Sequence, residues 1–237
     1  MPASARTSAA SPATARPYGG LAMEERVATR RARFIEAGIE LFGTQGFRGA
    51  TVRGICAAAG LTDRYFYESF ATLDALLADV YRTLKDGFAK RLTEESFGAE
   101  GWQGDDAAVE RQVTAAYELW FEHVRDPRFA RIVLVEILGV SPAMDALYEE
   151  TAREMAELTI SPLAATRPAI RLSKARRELL GRALVGSGLQ VAKMWMTGGY
   201  KLARRDVVRT CVLVATGTLA ALRAEAASGM SNARAVP

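Results

Sequence analysis

Between Thr51 and Phe70, TVRGICAAAGLTDRYFYESF, the chain gathers Arg53, Thr62, Asp63, Arg64, Tyr65 and Tyr67, with Arg48 just ahead. Guanidinium and hydroxyl groups at this density can bond phosphate oxygens, which fixes position on a duplex, and base edges, which reads its sequence. Arg64 could bond guanine O6 and N7 with both arms, a pair worth ~1–3 kcal/mol of discrimination. Asp63 could accept from cytosine N4, although stabilising a helix N-terminus is the simpler role for it. Arg48, Arg53 and the Tyr67 hydroxyl suit phosphates, as do the free amides that open the second and fourth helices.

Those side chains need short helices to aim them. Thr51 is a good N-cap, and Val52, Ile55 and Ala59 recur behind it at helical spacing. Ala59-Gly60-Leu61 breaks that helix, with Gly60 supplying a left-handed backbone at the exit. Thr62 is expected to cap a second helix that carries Asp63, Arg64, Tyr65 and Tyr67 on one side and Phe66 and Phe70 on the other. Two short helices around a Gly-containing turn form a helix-turn-helix.

Charge is concentrated at the same place. The chain carries a net +4 with a pI near 9.2, and its first 70 residues hold nine arginines against six acids, +3 of that total. A basic excess beside the helix-turn-helix suits a polyanion. The 237 residues are 49% apolar and 24% charged, the balance of a globular protein with room for a sizeable core. Abundant Ala, Leu and Arg and long proline-free stretches favour helix, and no alternating pattern or Asn-Gly turn suggests a strand. Cys56 and Cys211 stand far apart in apolar helical patterns, which suits a reducing cytosol. Cys56, inside the reading unit, could act as a redox switch, but a small apolar side chain in a tight core is the simpler account. No long uncharged apolar run predicts a membrane span, and no apolar leader core precedes the first helix, so the expected location is cytoplasmic.

In chain order, residues 1–22 are small and polar and are expected to form a disordered arm, with Arg6 and Arg16 able to reach a minor groove. A first helix runs from about Met23 to Thr44, burying Phe34, Ile35, Gly38, Ile39, Leu41 and Phe42. Thr72 caps a fourth helix whose apolar face, Leu73 to Phe88, can join the reading unit to the rest of the protein. Glu94–Asp106 and residues 161–170 read as loops. Between them lie a helix ending near Val124, a sixth opening at Asp126-Pro127 and a seventh opening at Ser141-Pro142. Helices 8 (about 173–197) and 9 (about 204–228) are apolar on two sides, and a helix apolar on two sides must be covered on two sides. We therefore expect one side to face the core and the other a second subunit, in a symmetric homodimer.

From Arg33 to Leu77 the chain resembles the tetracycline-repressor (TetR) family of bacterial regulators. The matching positions are Ile35, Ala37, Leu41-Phe42, Gly46-Phe47, Thr51-Val52, Ile55, Ala58-Ala59-Gly60-Leu61-Thr62, Phe66-Tyr67, Phe70 and Leu76. Cys56, Ser69 and Leu73 depart from residues common in that family, and no DNA role is assigned to Ser69 or Leu73. The resemblance implies a phosphate contact at Tyr67, a homodimer on a palindromic operator of double-stranded DNA, and repression relieved by a small molecule that shifts helix 4. The implied architecture is all-α, about nine helices. A three-helix DNA-binding domain over 23–88, with its helix-turn-helix at 51–70, precedes a larger effector-binding and dimerisation domain over 89–228, and 229–237 form a disordered tail. The DNA-binding set is Arg48, Thr51, Arg53, Thr62, Asp63, Arg64, Tyr65 and Tyr67.

Large inward side chains of the later helices are the candidate effector contacts: Tyr117, Trp120, Phe121, Met144, Tyr148, Met155, Gln190, Met194 and Trp195. Glu136 joins them, because a carboxylate on an apolar stripe needs a partner, with a nearby arginine the alternative to a ligand. They suit an apolar or aromatic effector. With one histidine, His123, and two distant cysteines, no metal or other cofactor is expected. No nucleophile–base pair or Gly-rich phosphate loop suggests an enzyme.

Overall fold

The computed structural model describes residues 18–97, 106–160 and 170–234, and every element among them is helical. In order these are α1 (Tyr18–Gln45), a 3-10 turn (Phe47–Gly49), α2 (Val52–Ala59), α3 (Asp63–Ser69) and α4 (Leu73–Arg91). A π-helical turn (Leu92–Phe97) extends α4, and α5 (Asp106–Val124) follows. The short α6 (Pro127–Arg131) runs straight into a second π-helical turn (Ile132–Glu136), and α7 (Pro142–Ile160), α8 (Lys174–Thr197) and α9 (Arg204–Arg234) complete the chain.

Several boundaries differ from those expected. Tyr18–Ala22 belong to α1 rather than to an arm, since no proline follows Pro17 until the helix is over and extending a formed helix gains a hydrogen bond per residue. At the other end α9 continues to Arg234, into the expected tail. Glu94–Phe97 continue α4 as a π turn instead of opening a loop. Arg6, Arg16, Gly98, Gly101, Gly104, Pro162 and Pro168 lie outside the described residues.

Local signals explain most helix starts. The hydroxyls of Thr51 and Thr72 accept from the Gly54 and Ala75 amides, each at 3.1 Å. Asp126 caps α6 by accepting from Arg128 N ahead of Pro127, and Ser173 caps α8 from Arg176 N. Gly60 sits at φ +62°, and Leu61 N reaches back to Cys56 O at 3.0 Å to close α2.

Two cores result. The first packs Phe34 and Phe42 of α1, Ile55 of α2, Phe66 and Phe70 around α3, and Leu76, Leu77 and Val80 of α4. Phe34 meets Phe66 and Phe70 edge-on, at 5.5 and 6.2 Å between ring centres. Ile132, Ile137, Met144 and Leu147 belong to this same core although they follow it by some fifty residues or more. The second joins Phe88 and Leu92 to Leu119, Trp120, Phe121 and Val124 of α5, Phe129, Ala192, Trp195 and the first turns of α9. Leu84 of α4 and Val133 of the second π turn pack against both. Gly181 brings α8 against α7 so closely that a Cβ there would lie 2.6 Å from Ala156 O.

Candidate nucleic-acid interface and apolar cavity

The helix-turn-helix presents its charged side outward. Arg48, Arg53, Thr62, Asp63, Arg64 and Tyr67 are exposed, and Tyr67 keeps 61% of its surface open beside the fully buried Phe66. Neither Arg48 nor Arg53 forms an ion pair with a described residue, so both cations are available to a polyanion. Arg64 is 84% exposed and donates from Nε to Glu68 Oε1 at 3.0 Å, a one-turn surface pair worth ~0.3–0.5 kcal/mol that a phosphate or base could replace.

Two positions, Thr62 and Tyr65, behave otherwise than the sequence led us to expect, while Asp63 stands in the first turn of α3 as expected and has a further neighbour. Thr62 occupies the N-cap of α3 but makes no capping hydrogen bond with its side chain. Tyr65 is half-buried, with the Arg30 guanidinium 4.5 Å above its ring, so much of its surface is committed to α1. Asp63 faces Cys56: burial, then the hydrogen bond and charge of Asp63, push the thiol up to about 11. Cys56 is therefore a buried, protonated donor joining α2 to the start of α3, poorly suited to thiolate chemistry at neutral pH.

The reading unit is held from behind at two places. Arg31 of α1 pairs with Asp79 of α4, donates to Ser69 O at 2.6 Å and stacks 4.3 Å over Phe70. At the end of α1, Arg131 donates from Nη1 to Thr44 O and from Nε to Glu136 Oε1, both at 2.8 Å, and Glu136 Oε2 accepts from Phe47 N at 2.8 Å. Gly46 lies between them at φ +81°, and a Cβ there would stand 2.6 Å from Arg131 Nη2. Arg128 adds an ion pair to Glu40 at 2.9 Å, and its guanidinium is held well above its ordinary range by Asp126 first and then Glu40. Glu136 is thus an internal clamp rather than an effector contact; its expected arginine is real, and its second partner is a backbone amide 89 residues earlier in the chain.

An apolar cavity of about 190 Å³ opens in the second core, walled by α4, α5, the α6 turn, α7, α8 and α9. Tyr117, Trp120, Tyr148 and Met155 line it. The other proposed contacts do not. Phe121, one residue round α5 from Trp120, is fully buried against Trp195 at 5.7 Å. Trp195 closes the α8–α9 corner, donating from Nε1 to Leu202 O at 2.8 Å. Met144 is buried in the first core, and Gln190 and Met194 are exposed on α8. Sequence reasoning missed Tyr81, Lys85 and Phe88 of α4, Thr151 of α7 and Leu219 of α9. Lys85 carried a usable signal, an ionisable residue between Leu84 and Phe88 on an otherwise apolar face.

Burial pushes the Tyr81 hydroxyl up to about 12 against a hydrogen bond with Thr151, and the Tyr117 hydroxyl up to about 12 against one with Ser187. Both remain neutral phenols. Among the described residues no cluster of His, Cys, Asp and Glu could hold a metal ion. His123 packs between Phe88 and Phe129 at 5.3 and 5.4 Å, with Nδ1 2.9 Å from Leu119 O.

Residues 34–80 match the sequence profile described as bacterial regulatory proteins, tetR family. No curated protein matches the chain. Solved structures are similar at low identity, which bears on the fold. The Bacillus subtilis transcriptional regulator FadR, in complex with stearoyl-CoA, has a TM-score of 0.66 at 14% identity over 78% of this chain and 97% of its own. A tetR-family transcriptional regulator from Streptomyces coelicolor has 0.61 at 22% identity, covering 84% and 82%. A TetR-like transcriptional regulator from Rhodococcus sp. RHA1 has 0.59 at 20%, covering 81% and 96%. The profile match runs from within α1 to within α4, so the helix-turn-helix region is similar to the DNA-binding part of tetR-family regulators, and the helical fold that continues through α9 is the fold of the solved regulators.

Proposed function

We propose that the protein is a homodimeric cytoplasmic repressor, released from a palindromic operator when a small apolar or aromatic molecule fills the cavity. The observation that carries this is the double duty of α4. Its Leu76, Leu77 and Val80 lie in the core beneath the helix-turn-helix, while Tyr81, Lys85 and Phe88 line the cavity. A molecule that fits best when α4 stands off from α7 and α5 must favour a displaced reading head, and only such a difference in affinity can move the equilibrium. The α6 turn offers a parallel route. Its Phe129 and Val133 face the cavity, while Arg128, Arg131 and Glu136 hold the end of α1.

On the DNA side, Arg48, Arg53 and Tyr67 hold phosphates and Arg64 reads bases, with Thr51, Thr62, Asp63 and Tyr65 shaping the same surface. For the dimer, Leu179 and Met194 of α8 and Leu213 and Val214 of α9 are exposed, and Leu213 keeps 70% of its surface open. Cβ atoms added at Gly186 or Gly217 would meet nothing within 4 Å, room for a second backbone. Arg204–Ser228 is long and apolar enough to cross a membrane, with only 33% of its apolar 18-residue window buried, although no such stretch was expected from the sequence. A second copy against this face would supply the missing apolar contact. The fatty acyl-CoA in the Bacillus subtilis relative's structure supports an apolar effector.

Titrating the full chain onto DNA from upstream of its own gene tests this. Affinity should fall steeply as salt rises, through counterion release, and Arg64→Ala should bind all sequences more alike. If Arg64→Ala keeps the parent's preferences, α3 is not the reader. A monomer by sedimentation at micromolar concentration would remove the dimer.

A further inference from the structure

One end of the cavity differs chemically from the rest. Among the described residues Lys85 is the single charged side chain lining it, and that side chain is only 21% exposed. From α4 its Nζ reaches Glu154 of α7 at 2.9 Å and Asp86 at 2.9 Å. Tyr81, hydrogen-bonded to Thr151, and Tyr148 stand on the same two helices. Polar groups on the other walls are already engaged internally. Trp120 Nε1 donates to Gly188 O, Tyr117 bonds Ser187, and Thr216 and Thr218 donate to carbonyls of their own helix. Polar recognition is thereby confined to the seam between α4 and α7.

We propose that this seam is a carboxylate site: the effector is an apolar acid whose body fills the cavity and whose carboxylate takes Lys85 from Glu154. The inference rests on the cavity being the effector site. Exchange is like for like, one carboxylate replacing another on the same ammonium. Glu154 is 53% exposed and can turn into water, forfeiting only a weak surface pair. Lys85, with only 21% of its side chain exposed, stays in place. Burial draws its ammonium down, but the hydrogen bonds to Glu154 and Asp86 outweigh it and keep the group charged. A cationic head would meet Lys85 itself, and a neutral head would compete with two carboxylates for it. The exchange also cuts the ion pair that ties α4 to α7, so the head group that binds best is the one that unfastens the helix beneath the reading head.

Decanoate and decan-1-ol, titrated at neutral pH into the full-length protein and followed by calorimetry, test this. A merely greasy cavity prefers the alcohol, which leaves water more readily. A carboxylate site prefers decanoate, by about tenfold for one hydrogen bond to a charged group. Lys85→Met should erase that preference, and Glu154→Gln, which removes the competing carboxylate, should tighten decanoate without tightening the alcohol. Equal binding of the two probes by the parent, or a preference that survives Lys85→Met, overturns the inference and leaves the cavity reading standing. If neither probe binds, both fall.

Discussion

The two halves of this chain are built on opposite principles. Around the helix-turn-helix, short helices are pinned by caps and tight turns, and their aromatic side chains meet edge-on with nothing between them. In the later half, longer helices stand apart around an apolar cavity of about 190 Å³. On the proposed function, the first arrangement would aim a few side chains at a fixed target, and the second would leave space for an incoming molecule to complete the packing. Rigidity and hollowness are divided between the regions, and α4 belongs to both.

Matched truncations offer the most forceful test of that contrast. Phe66→Ala removes a fully buried ring from the first core and should cost ~3–5 kcal/mol, read as a lowered denaturant midpoint at unchanged slope. Trp120→Ala, on the cavity wall, already lacks contacts on one side and should cost clearly less for a larger side chain. Equal losses would mean that the cavity is not a region of loose packing.

Next comes the clamp. Glu136→Ala leaves the Phe47 amide and Arg131 Nε without their acceptor, a loss of ~1–3 kcal/mol. It should also weaken the effect of a cavity ligand on DNA affinity more than it weakens DNA binding itself. An unchanged ligand effect would leave α4 as the sole route.

A smaller effect concerns pH. Cys56 and Cys211 are both raised to about 11, burial being the first cause for each. The folded state thus favours the protonated thiol; the stability this adds is whole below an ordinary thiol pKa of 9.0 and drains away as pH climbs from there to about 11. Midpoints measured from pH 8 to 11 should fall, and the fall should flatten in Cys56→Ala. Smallest in stability is Arg53→Ala, an exposed change worth within ~0.5 kcal/mol that should lower the salt slope of DNA binding by about one.

How much of this was readable in the sequence follows the same division. Thr51, Gly60, Thr72 and the Asp126-Pro127 start were legible because caps and turns depend on neighbours a few residues away. Thr62 shows the limit even there, since a good capping residue in the right place leaves its hydroxyl off the helix amides. The clamp was half legible: Glu136 stood out as a carboxylate needing a partner, but the Phe47 amide is joined to it only by the fold. The cavity wall was least legible. Tyr81 and Phe88 look like any core stripe, and which of Trp120 and Phe121 faces a void depends on helices far along the chain.

Leu84 and Val133, each touching both cores, have a consequence for anyone taking the protein apart. A fragment ending at residue 88 would leave behind Ile132, Ile137, Met144 and Leu147, four side chains that complete its interior, together with the acid that grips its first turn. Grafting this reading head onto another sensor would therefore require carrying along the stretch from Asp126 to Leu147, and a protease should find no cut between the halves that releases a stable piece. The head is not a cassette.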